Sequence, residues 1–410
     1  MAYYCFQELE NIANKASWTL INELALELDK ASLSINPSHP LYERRKDTFS
    51  IQNMIGTVGL KGGSLVEILP KTGAHSWMPA VTGLLGSKTR FHVTTTNCSS
   101  EGNVESTLTE AIAQEYANRL QRALSKSGPM LTYEHIYCAS TKLTGRLNLS
   151  KWIVRRITDP AHFNIDKEEL AHDNVFTRAM DIVAEGMSLA NISAETKLAL
   201  LRTRKELRPD CPKALLLDRS TVDRQFPEQW QAYKPAWDIA SAIIRGKGYN
   251  YGSTGSSFGI ELAIEPWPLL EALLELCMQW ICDKTSYSDS YESQKTKRLF
   301  IEANRTVKPD GVLYRNGRVL ACLDAKYKTN TLSRNDLYQA LATAAAFKSP
   351  ISILVYPDNS PMQYYRTITE GCPKTVATVG IDLFSFSKTA DLESHASGII
   401  EAIKLASTLE

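Results

Sequence analysis

The sequence lacks any long uninterrupted apolar run, which excludes a conventional membrane-spanning helix of about 20 such residues. Its first residues also lack a basic segment followed by an apolar stretch, which excludes the usual pattern of a secretory leader. From these two absences we expect a cytoplasmic protein without a membrane partner.

Cysteine pairs are missing as well. The eight cysteines are scattered, with no CxxC pair and no histidines at zinc-ligand spacing. This pattern excludes a zinc finger, and we expect reduced, mostly buried thiols.

Charge of one sign is not in excess either, since the sequence has 46 Lys and Arg and 45 Asp and Glu. Any contact with nucleic acid must therefore come from local basic patches.

What is present is the composition of an ordinary globular protein, with 43% hydrophobic residues in a chain of 410, enough for two or three domains. Residues 246–259 are so rich in Gly, Ser and Tyr that no packed element fits them. We predict a linker there, between an N-terminal α+β region (1–245) and a C-terminal domain (260–410). The linker contains GSTGSSFG, which lacks the lysine of a phosphate-binding loop, so this chain is not expected to bind a nucleotide.

Hydrophobic spacing predicts the main elements on both sides of the linker. Before it we expect helices at 21–31, 105–125, 174–189, 193–207 and 235–244, a hairpin turning at 61–63, and extended structure at 133–149. After it we expect a helix at 266–282, two strands around 316–317, a helix at 335–347, strands at 351–357 and 376–384, and a final helix near 390–409. This order predicts an α/β fold with a mixed sheet flanked by helices.

Two carboxylates and a lysine stand out in the C-terminal domain. Asp310 follows a proline at one predicted strand, and Asp324-Ala325-Lys326 occupies the next. Metal-dependent phosphodiester hydrolysis uses such a set: carboxylates hold a divalent cation that activates water, and a lysine orients the nucleophile or stabilises charge. The alternative is an edge strand with a solvated Asp/Lys pair.

The register of the two strands decides whether these groups meet. A two-residue Asn316-Gly317 turn without a bulge would send Asp310 and Asp324 to opposite faces. A three-residue loop, 315–317, with Gly317 in a bulge would put both aspartates and Lys326 on one face. The other face would then carry an apolar set, which comprises Leu313, Val319, Ala321, Leu323 and Ala325. We therefore predict the bulged loop.

The flanking helices carry further polar candidates. Glu271 and Glu275 lie one turn apart on the upstream helix, where either could supply a third acidic group or belong to a solvated face. The downstream helix carries Asp336 and Gln339.

This arrangement resembles the PD-(D/E)xK nuclease core, and several segments are similar to the McrC family, the nuclease subunit of McrBC modification-dependent restriction systems. The similar segments are DAKYK (324–328) with NDLYQALATAAAF (335–347) and ILVYP (353–357), VGLKGGSLVEILPK (58–71), the stretch 143–184 with Gly145, Arg146, Asp173 and Asn174, and LLELCMQWI (273–281). The resemblance covers residues 51–357, and its helix motif favours Glu275 as the active-site acid.

The resemblance implies a metal-dependent endonuclease that cleaves double-stranded, modified DNA together with an AAA+ GTPase or ATPase ring, which it also stimulates. Asp310, Asp324, Glu275 and the carbonyl of Ala325 would bind Mg²⁺, or Mn²⁺ in its place. Lys326 would position the attacking water, with Gln339 bracing it. The residues expected to contact DNA phosphates are Lys295, Lys297, Arg298 and Lys328. Two copies could assemble to cut both strands.

Two other functions fit part of the pattern. One is a non-catalytic activator of the AAA+ partner, which would retain the nuclease fold as a scaffold. The other is a stand-alone RecB-like repair nuclease, which shares the core but leaves the N-terminal half unexplained.

A basic and aromatic cluster is formed by Lys151, Trp152, Arg155 and Arg156. We interpret it as a solvated strand end, and the alternative is that it contacts DNA phosphates or an acidic surface of the ring.

Overall fold

The computed structural model describes residues 2–35, 37, 39–72, 76–96, 107–209, 211, 219–247, 259–301, 303–329, 332–368, 374–387 and 389–407. The chain forms two compact units, one of residues 1–94 with 262–410 and one of residues 95–261. This division differs from the expected N-terminal region 1–245, because the first 94 residues fold with the C-terminal part. Most of the predicted linker, 248–258, lies outside the described residues.

The helices and strands are given in chain order. The α-helices of the described part are α1 (Trp18–Ile35), α2 (Met78–Leu84), α3 (Leu108–Ser127), α4 (Leu149–Thr158), α5 (Val175–Ser188), α6 (Ala194–Leu207), α7 (Lys234–Lys247), α8 (Trp267–Lys284), α9 (Arg334–Phe347) and α10 (Leu392–Ser407). Its strands are β1 (Tyr3–Gln7), β2 (Tyr42–Arg45), β3 (Thr48–Ile51), β4 (Ile55–Gly59), β5 (Leu65–Leu69), β6 (Phe91–Thr96), β7 (Thr132–Ser140), β8 (Arg146–Leu147), β9 (Phe163–Ala171), β10 (Gly259–Ile264), β11 (Ser290–Ser293), β12 (Lys297–Arg298), β13 (Thr306–Val307), β14 (Gly311–Arg315), β15 (Arg318–Ala325), β16 (Ile351–Tyr356), β17 (Gln363–Arg366) and β18 (Thr375–Gly380).

The first sheet of the larger unit has the strand order β1-β5-β4-β10-β6. β1 runs parallel to β5, whereas β4 and β5 form an antiparallel hairpin. Their connection turns at Gly63, whose φ of 78° suits glycine, and this confirms the predicted hairpin. Helix α1 packs on the sheet because its apolar residues recur at helical spacing, so that Ile21 and Leu28 are buried in one cluster with Val58 and Ile68.

The second sheet of the larger unit has the order β11-β14-β15-β16-β18-β17. β14 and β15 are antiparallel, and β15, β16 and β18 are parallel, so the predicted mixed sheet is confirmed. Helix α9 covers one face, where its Phe347 packs against Val312. Helix α8 covers the other face at Gly311, where a Cβ would lie 2.1 Å from the sulfur of Met278. Glycine therefore permits the close approach of α8 to β14.

The smaller unit combines helices α3, α5, α6 and α7 with a three-stranded sheet of order β7-β9-β8. Its core includes Phe176, which packs edge-on against Phe226 and Trp237 at ring separations of 5.4 and 5.0 Å. The hydroxyl of Tyr116 donates to the buried carbonyl of Met180 at 2.9 Å and ties α3 to α5.

Two expectations about local structure were wrong. The cluster from Lys151 to Arg156 lies on helix α4 and not at a strand end, because the side chain of Asn148 caps this helix by accepting the backbone N–H of Lys151. The thiols are also less buried than expected: among the described cysteines Cys277 and Cys322 are buried, Cys5 is exposed, and the others are half-buried.

No helix in the described ranges is long and apolar enough to cross a lipid bilayer.

Candidate active site

The turn of the β14–β15 hairpin has two residues. Asn316 and Gly317 both have positive φ, 50° and 72°, and Arg315 pairs with Arg318. Positive φ at both central positions is the requirement of the tight hairpin turn that Asn-Gly favours. The predicted three-residue loop is therefore wrong.

A bulge nevertheless brings the two aspartates together. The pairing register shifts between Leu313 and Tyr314, because β15 carries one extra residue opposite this point. Beyond the bulge, the last pair is Gly311 with Leu323. One residue further along this register, Asp310 lies opposite Asp324. The predicted outcome, both carboxylates on one face, is thus produced by a bulge inside the strand pair and not in the turn.

The position of the bulge also changes which residues face the core on the other side. Val319 was expected beside Leu313 on the apolar face, but it packs with Val312 and Cys322 on the α9 face. The extra residue between the turn and the aspartates reverses the alternation, so Val319 and Leu323 lie on opposite faces.

Asp310 is held by three groups from neighbouring segments. Its Oδ2 accepts the backbone N–H of Ala325 at 2.7 Å, and its Oδ1 accepts the side-chain amide of Gln294 at 2.7 Å. Its backbone carbonyl accepts the N–H of Gln294 at 3.1 Å. Burial, together with the charges of Asp324 and Glu271, raises the pKa of Asp310 to about 7. This carboxyl lies in an environment that favours either a proton or a cation.

Asp324 and Lys326 lie side by side at the end of β15. Asp324 is 8% exposed and forms an ion pair with Lys326. The ammonium group of Lys326 also donates to the side-chain oxygen of Gln339 on α9 at 3.1 Å. β15 lies between β14 and β16, so the alternative of a solvated pair on an edge strand is excluded.

The acid on α8 that lies nearest to the aspartates is Glu271, not the favoured Glu275. Gln294, which binds Asp310, also donates to Glu271 at 3.5 Å. Burial and the charge of Asp324 raise the pKa of Glu271. Glu275 instead pairs with Lys88 at 2.8 Å and accepts the hydroxyl of Ser293 at 3.0 Å.

The donor atoms at this place suit a hard dication. Asp310, Asp324 and the carbonyl of Ala325 offer oxygen ligands, which Mg²⁺ prefers, and two buried carboxylates carry more negative charge than Lys326 balances. The described ranges contain no group of three or more Asp, Glu, His or Cys side chains that already forms a metal cage. With only two carboxylates and one carbonyl at this place, a Mg²⁺ ion held here would take its other ligands from water.

The three lysines and one arginine expected at DNA fall into two classes. Lys295 pairs with Glu292 at 2.5 Å, and Lys328 pairs with Asp336 at 2.8 Å. Lys297 and Arg298 lie on the exposed two-stranded ribbon β12–β13. Sequence reasoning missed Lys308, which follows the ribbon and whose charge lowers the pKa of Glu271. The sequence feature that pointed to Lys308 is its position two residues before Asp310.

The motif residues of the stretch 143–184 have structural contacts within the smaller unit. Asn174 caps α5 by accepting the N–H of Thr177 at 3.0 Å. Asp173 binds Arg208 at 2.6 Å, and a Cβ at Gly145 would lie 2.6 Å from the carbonyl of Asp166. These motif residues therefore shape this unit.

Helix α4 of the smaller unit exposes an apolar face. It has no buried residue, and Val154 and Ile157 are 71% and 83% exposed. Lys151, Arg155 and Arg156 lie on the same helix. An apolar helix face that is exposed to solvent is typical of an interaction surface.

Comparisons with known proteins show what this chain is similar to. The structure is similar to a chain of the refined half-complex from a tetradecameric assembly of Thermococcus gammatolerans McrB AAA+ hexamers with bound McrC, with 13% identity, a TM-score of 0.61, and coverage of 97% of this chain and 100% of that chain. It also matches a chain of the Thermococcus gammatolerans McrBC complex, with 14% identity, a TM-score of 0.44, and coverage of 67% of this chain and 86% of that chain. A comparison with the curated proteins finds no match. Residues 49–357 match the model of the McrBC 5-methylcytosine restriction system component family, and the chain therefore belongs to that family.

Proposed function

We propose that this chain is the Mg²⁺-dependent DNA endonuclease subunit of a McrBC-like restriction system and that its C-terminal sheet is a PD-(D/E)xK core. The observation that supports this most is the meeting of Asp310, Asp324 and Lys326 on one face at the end of a strand inside a mixed sheet. Family membership supports a role in restriction.

Asp310, Asp324 and the carbonyl of Ala325 would hold the cation, with Glu271 above them through a water molecule. When bound, the cation lowers the pKa of water and neutralises charge on the scissile phosphate. The fixed hydrogen bond from Ala325 to Asp310 keeps the Oδ2 of that carboxylate oriented. Because the pKa of Asp310 is raised to about 7, its affinity for a cation would weaken as pH falls below that value.

Lys326 orients the attacking water. Its ammonium group is held from two sides, by Asp324 and by Gln339, so that one N–H remains for a water molecule or a phosphate oxygen. The water oxygen attacks phosphorus and loses a proton to solvent or to a phosphate oxygen, while the phosphorus–oxygen bond to the leaving nucleotide breaks and the leaving oxygen takes a proton from solvent. The products are two DNA ends, one of which carries the phosphate.

The ribbon β12–β13 would contact the DNA backbone. It presents Lys297 and Arg298 in exposed positions and leads through Lys308 directly to Asp310. Lysine and arginine near a cleavage site neutralise phosphates and fix the register of the duplex without reading its sequence. Lys295 and Lys328 would join them once DNA phosphates compete with Glu292 and Asp336.

The partner would be an AAA+ ring that hydrolyses GTP or ATP, as the solved Thermococcus assembly contains McrB AAA+ hexamers with bound McrC. We propose that the smaller unit docks to this ring and stimulates its hydrolysis. The exposed apolar face of α4, flanked by cationic side chains, supports this assignment. A ring surface that buries Ile157 and pairs acids with Arg156 would complement it.

The deciding experiment is cleavage of methylated and unmethylated plasmid by the purified chain with Mg²⁺, with and without the AAA+ protein encoded beside it. Lys326→Ala removes the proposed water-orienting group. Lys284→Ala, at an exposed lysine at the end of α8, is the matched control. We expect nucleotide-dependent cutting that Lys326→Ala abolishes and Lys284→Ala leaves unchanged.

Other outcomes identify the other functions. Stimulation of the partner without cutting by any variant would show a non-catalytic activator. Cutting that needs neither the partner nor a nucleotide would show a stand-alone nuclease. Replacement of Mg²⁺ by Mn²⁺ tests the cation, since both suit oxygen ligands.

A further inference from the structure

Tyr327 directly follows the proposed water-orienting lysine, and its side chain is buried, with 8% exposed. Its hydroxyl donates to the carboxylate of Glu8 at 2.6 Å. Glu8 directly follows β1 of the first sheet. A residue near the start of the chain therefore binds the segment that follows β15, which is called the catalytic strand because Asp324 lies on it. Both residues belong to the larger unit.

Lys71 holds the same residue in two further ways. Its ammonium group donates to the backbone carbonyl of Tyr327 at 2.9 Å and lies 3.7 Å from the centre of the Tyr327 ring. Its backbone N–H donates to Glu8 at 3.3 Å. The hydroxyl, ring and carbonyl of Tyr327 are thus all bound by Glu8 and Lys71.

The backbone needs such an anchor at this point. Regular pairing of β15 ends at Ala325. The N–H of Lys326 still donates to Val355 at 2.7 Å, but the N–H of Lys328 turns back to the carbonyl of Lys326 at 2.7 Å. Beyond the end of this pairing, Lys71 supplies a hydrogen-bond donor to the carbonyl of Tyr327.

A buried Glu and Lys are poor means of stabilising a fold. Burial raises the pKa of Glu8 and lowers that of Lys71, so both side chains lose hydration in their charged forms. Apolar residues of similar volume often replace such a pair without loss of stability. The contacts of this pair converge on the residue after Lys326, which indicates a role in geometry.

We infer that Glu8 and Lys71 are positioning residues: they fix Tyr327 and thereby the direction in which Lys326 leaves the catalytic strand. This inference rests on the proposed nuclease function for its effect on cleavage. The contacts themselves do not depend on that function, so a readout of segment 326–328 tests them separately.

The experiment compares four full-length variants in complex with the AAA+ partner. Lys71→Met removes the donor to the Tyr327 carbonyl but keeps the length of the side chain. Lys71→Arg restores a cation and donors. The double variant Glu8→Gln with Lys71→Met leaves no unpaired charge in the core. Lys61→Met, at an exposed lysine of the β4–β5 turn, is the control.

Three quantities are measured for each variant: the single-turnover rate of DNA cleavage, the affinity for DNA, and the hydrogen–deuterium exchange of residues 326–328. A displacement of about 1 Å at a reacting group can cost about 100-fold in rate. We expect Lys71→Met to lower the rate about 10- to 100-fold at unchanged DNA affinity and to speed exchange in 326–328. Lys71→Arg should recover at least part of the rate.

The double variant separates positioning from stability. If it regains wild-type thermal stability but stays slow, the missing hydrogen bond to Tyr327 is the cause, as we infer. If it regains the wild-type rate as well, or if Lys71→Met changes neither exchange nor rate, the inference is overturned. If the wild-type complex does not cleave DNA at all, the proposed function fails, while the exchange of 326–328 still decides whether Lys71 holds this segment.

Discussion

The backbone N–H of Ala325 donates a hydrogen bond of 2.7 Å to Oδ2 of Asp310. This bond joins the first aspartate to the residue that follows Asp324, and the bulge in β15 makes it possible. Without the extra residue, Asp310 and Asp324 would face opposite sides of the sheet. The geometry of the candidate site therefore depends on one irregularity in an otherwise regular hairpin.

The first prediction compares the two glutamates of α8. Glu271→Gln should lower the cleavage rate about 10- to 100-fold, because Glu271 lies beside the aspartates and would bind the water shell of the cation. Glu275→Gln should have a smaller effect, since Glu275 is engaged by Lys88 and Ser293. Single-turnover cleavage over a Mg²⁺ titration measures both. A larger effect of Glu275→Gln would restore the assignment favoured by the sequence.

The second prediction concerns pH and stability without metal. The pKa of Asp310 in the folded protein is about 7, above its ordinary value of 3.8, so its contribution to stability falls as pH rises between these values. Asp310→Asn should therefore raise the free energy of unfolding by about 1–3 kcal/mol at pH 8 and by little at pH 4.

Urea unfolding in EDTA at the two pH values measures this difference. Added Ca²⁺ or Mg²⁺ should stabilise the wild type more than Asp310→Asn, because the cation binds the carboxylate. Equal stabilisation by Asp310→Asn at pH 4 and pH 8 would contradict the raised pKa.

The third prediction concerns Gln339. Gln339→Ala removes the oxygen that holds the ammonium group of Lys326, and we expect a rate about tenfold lower with unchanged affinity for DNA. Tyr338→Phe is the control, because the Tyr338 hydroxyl binds Arg334 and not Lys326. Weaker DNA binding by Gln339→Ala would instead indicate that this side chain contacts DNA.

The fourth prediction concerns the exposed face of α4. Ile157→Ser should weaken the affinity for the AAA+ partner about tenfold or more, since a well-packed anchor residue at an interface contributes about 1.4 kcal/mol or more. Thermal stability should not change, because Ile157 is 83% exposed. Leu198→Ser on α6, at a leucine that is 53% exposed, is the matched control. Equal loss from both variants would show that α4 is not the specific docking surface.

The sequence by itself determined the elements whose signals are local. Helical spacing indicated α1, α3, α8 and α9, because amphipathic periodicity survives in any environment that buries one face. The Asn-Gly pair indicated a turn between the two strands, but the length of that turn, predicted as three residues, is two in the structure. The pair Asp324 and Lys326, two residues apart on a strand, lies on one face by the alternation of side chains alone.

Only the tertiary structure decided the relations that depend on distant segments. The bulge in β15 forms where strand pairing and packing against α8 and α9 are satisfied together, and no local pattern marks it. The different partners of the two glutamates, Gln294 at Glu271 and Ser293 at Glu275, are also visible only in the structure. The contact of Glu8 and Lys71 with Tyr327 joins segments more than 250 residues apart, and long-range contacts of this kind have no sequence spacing from which to predict them.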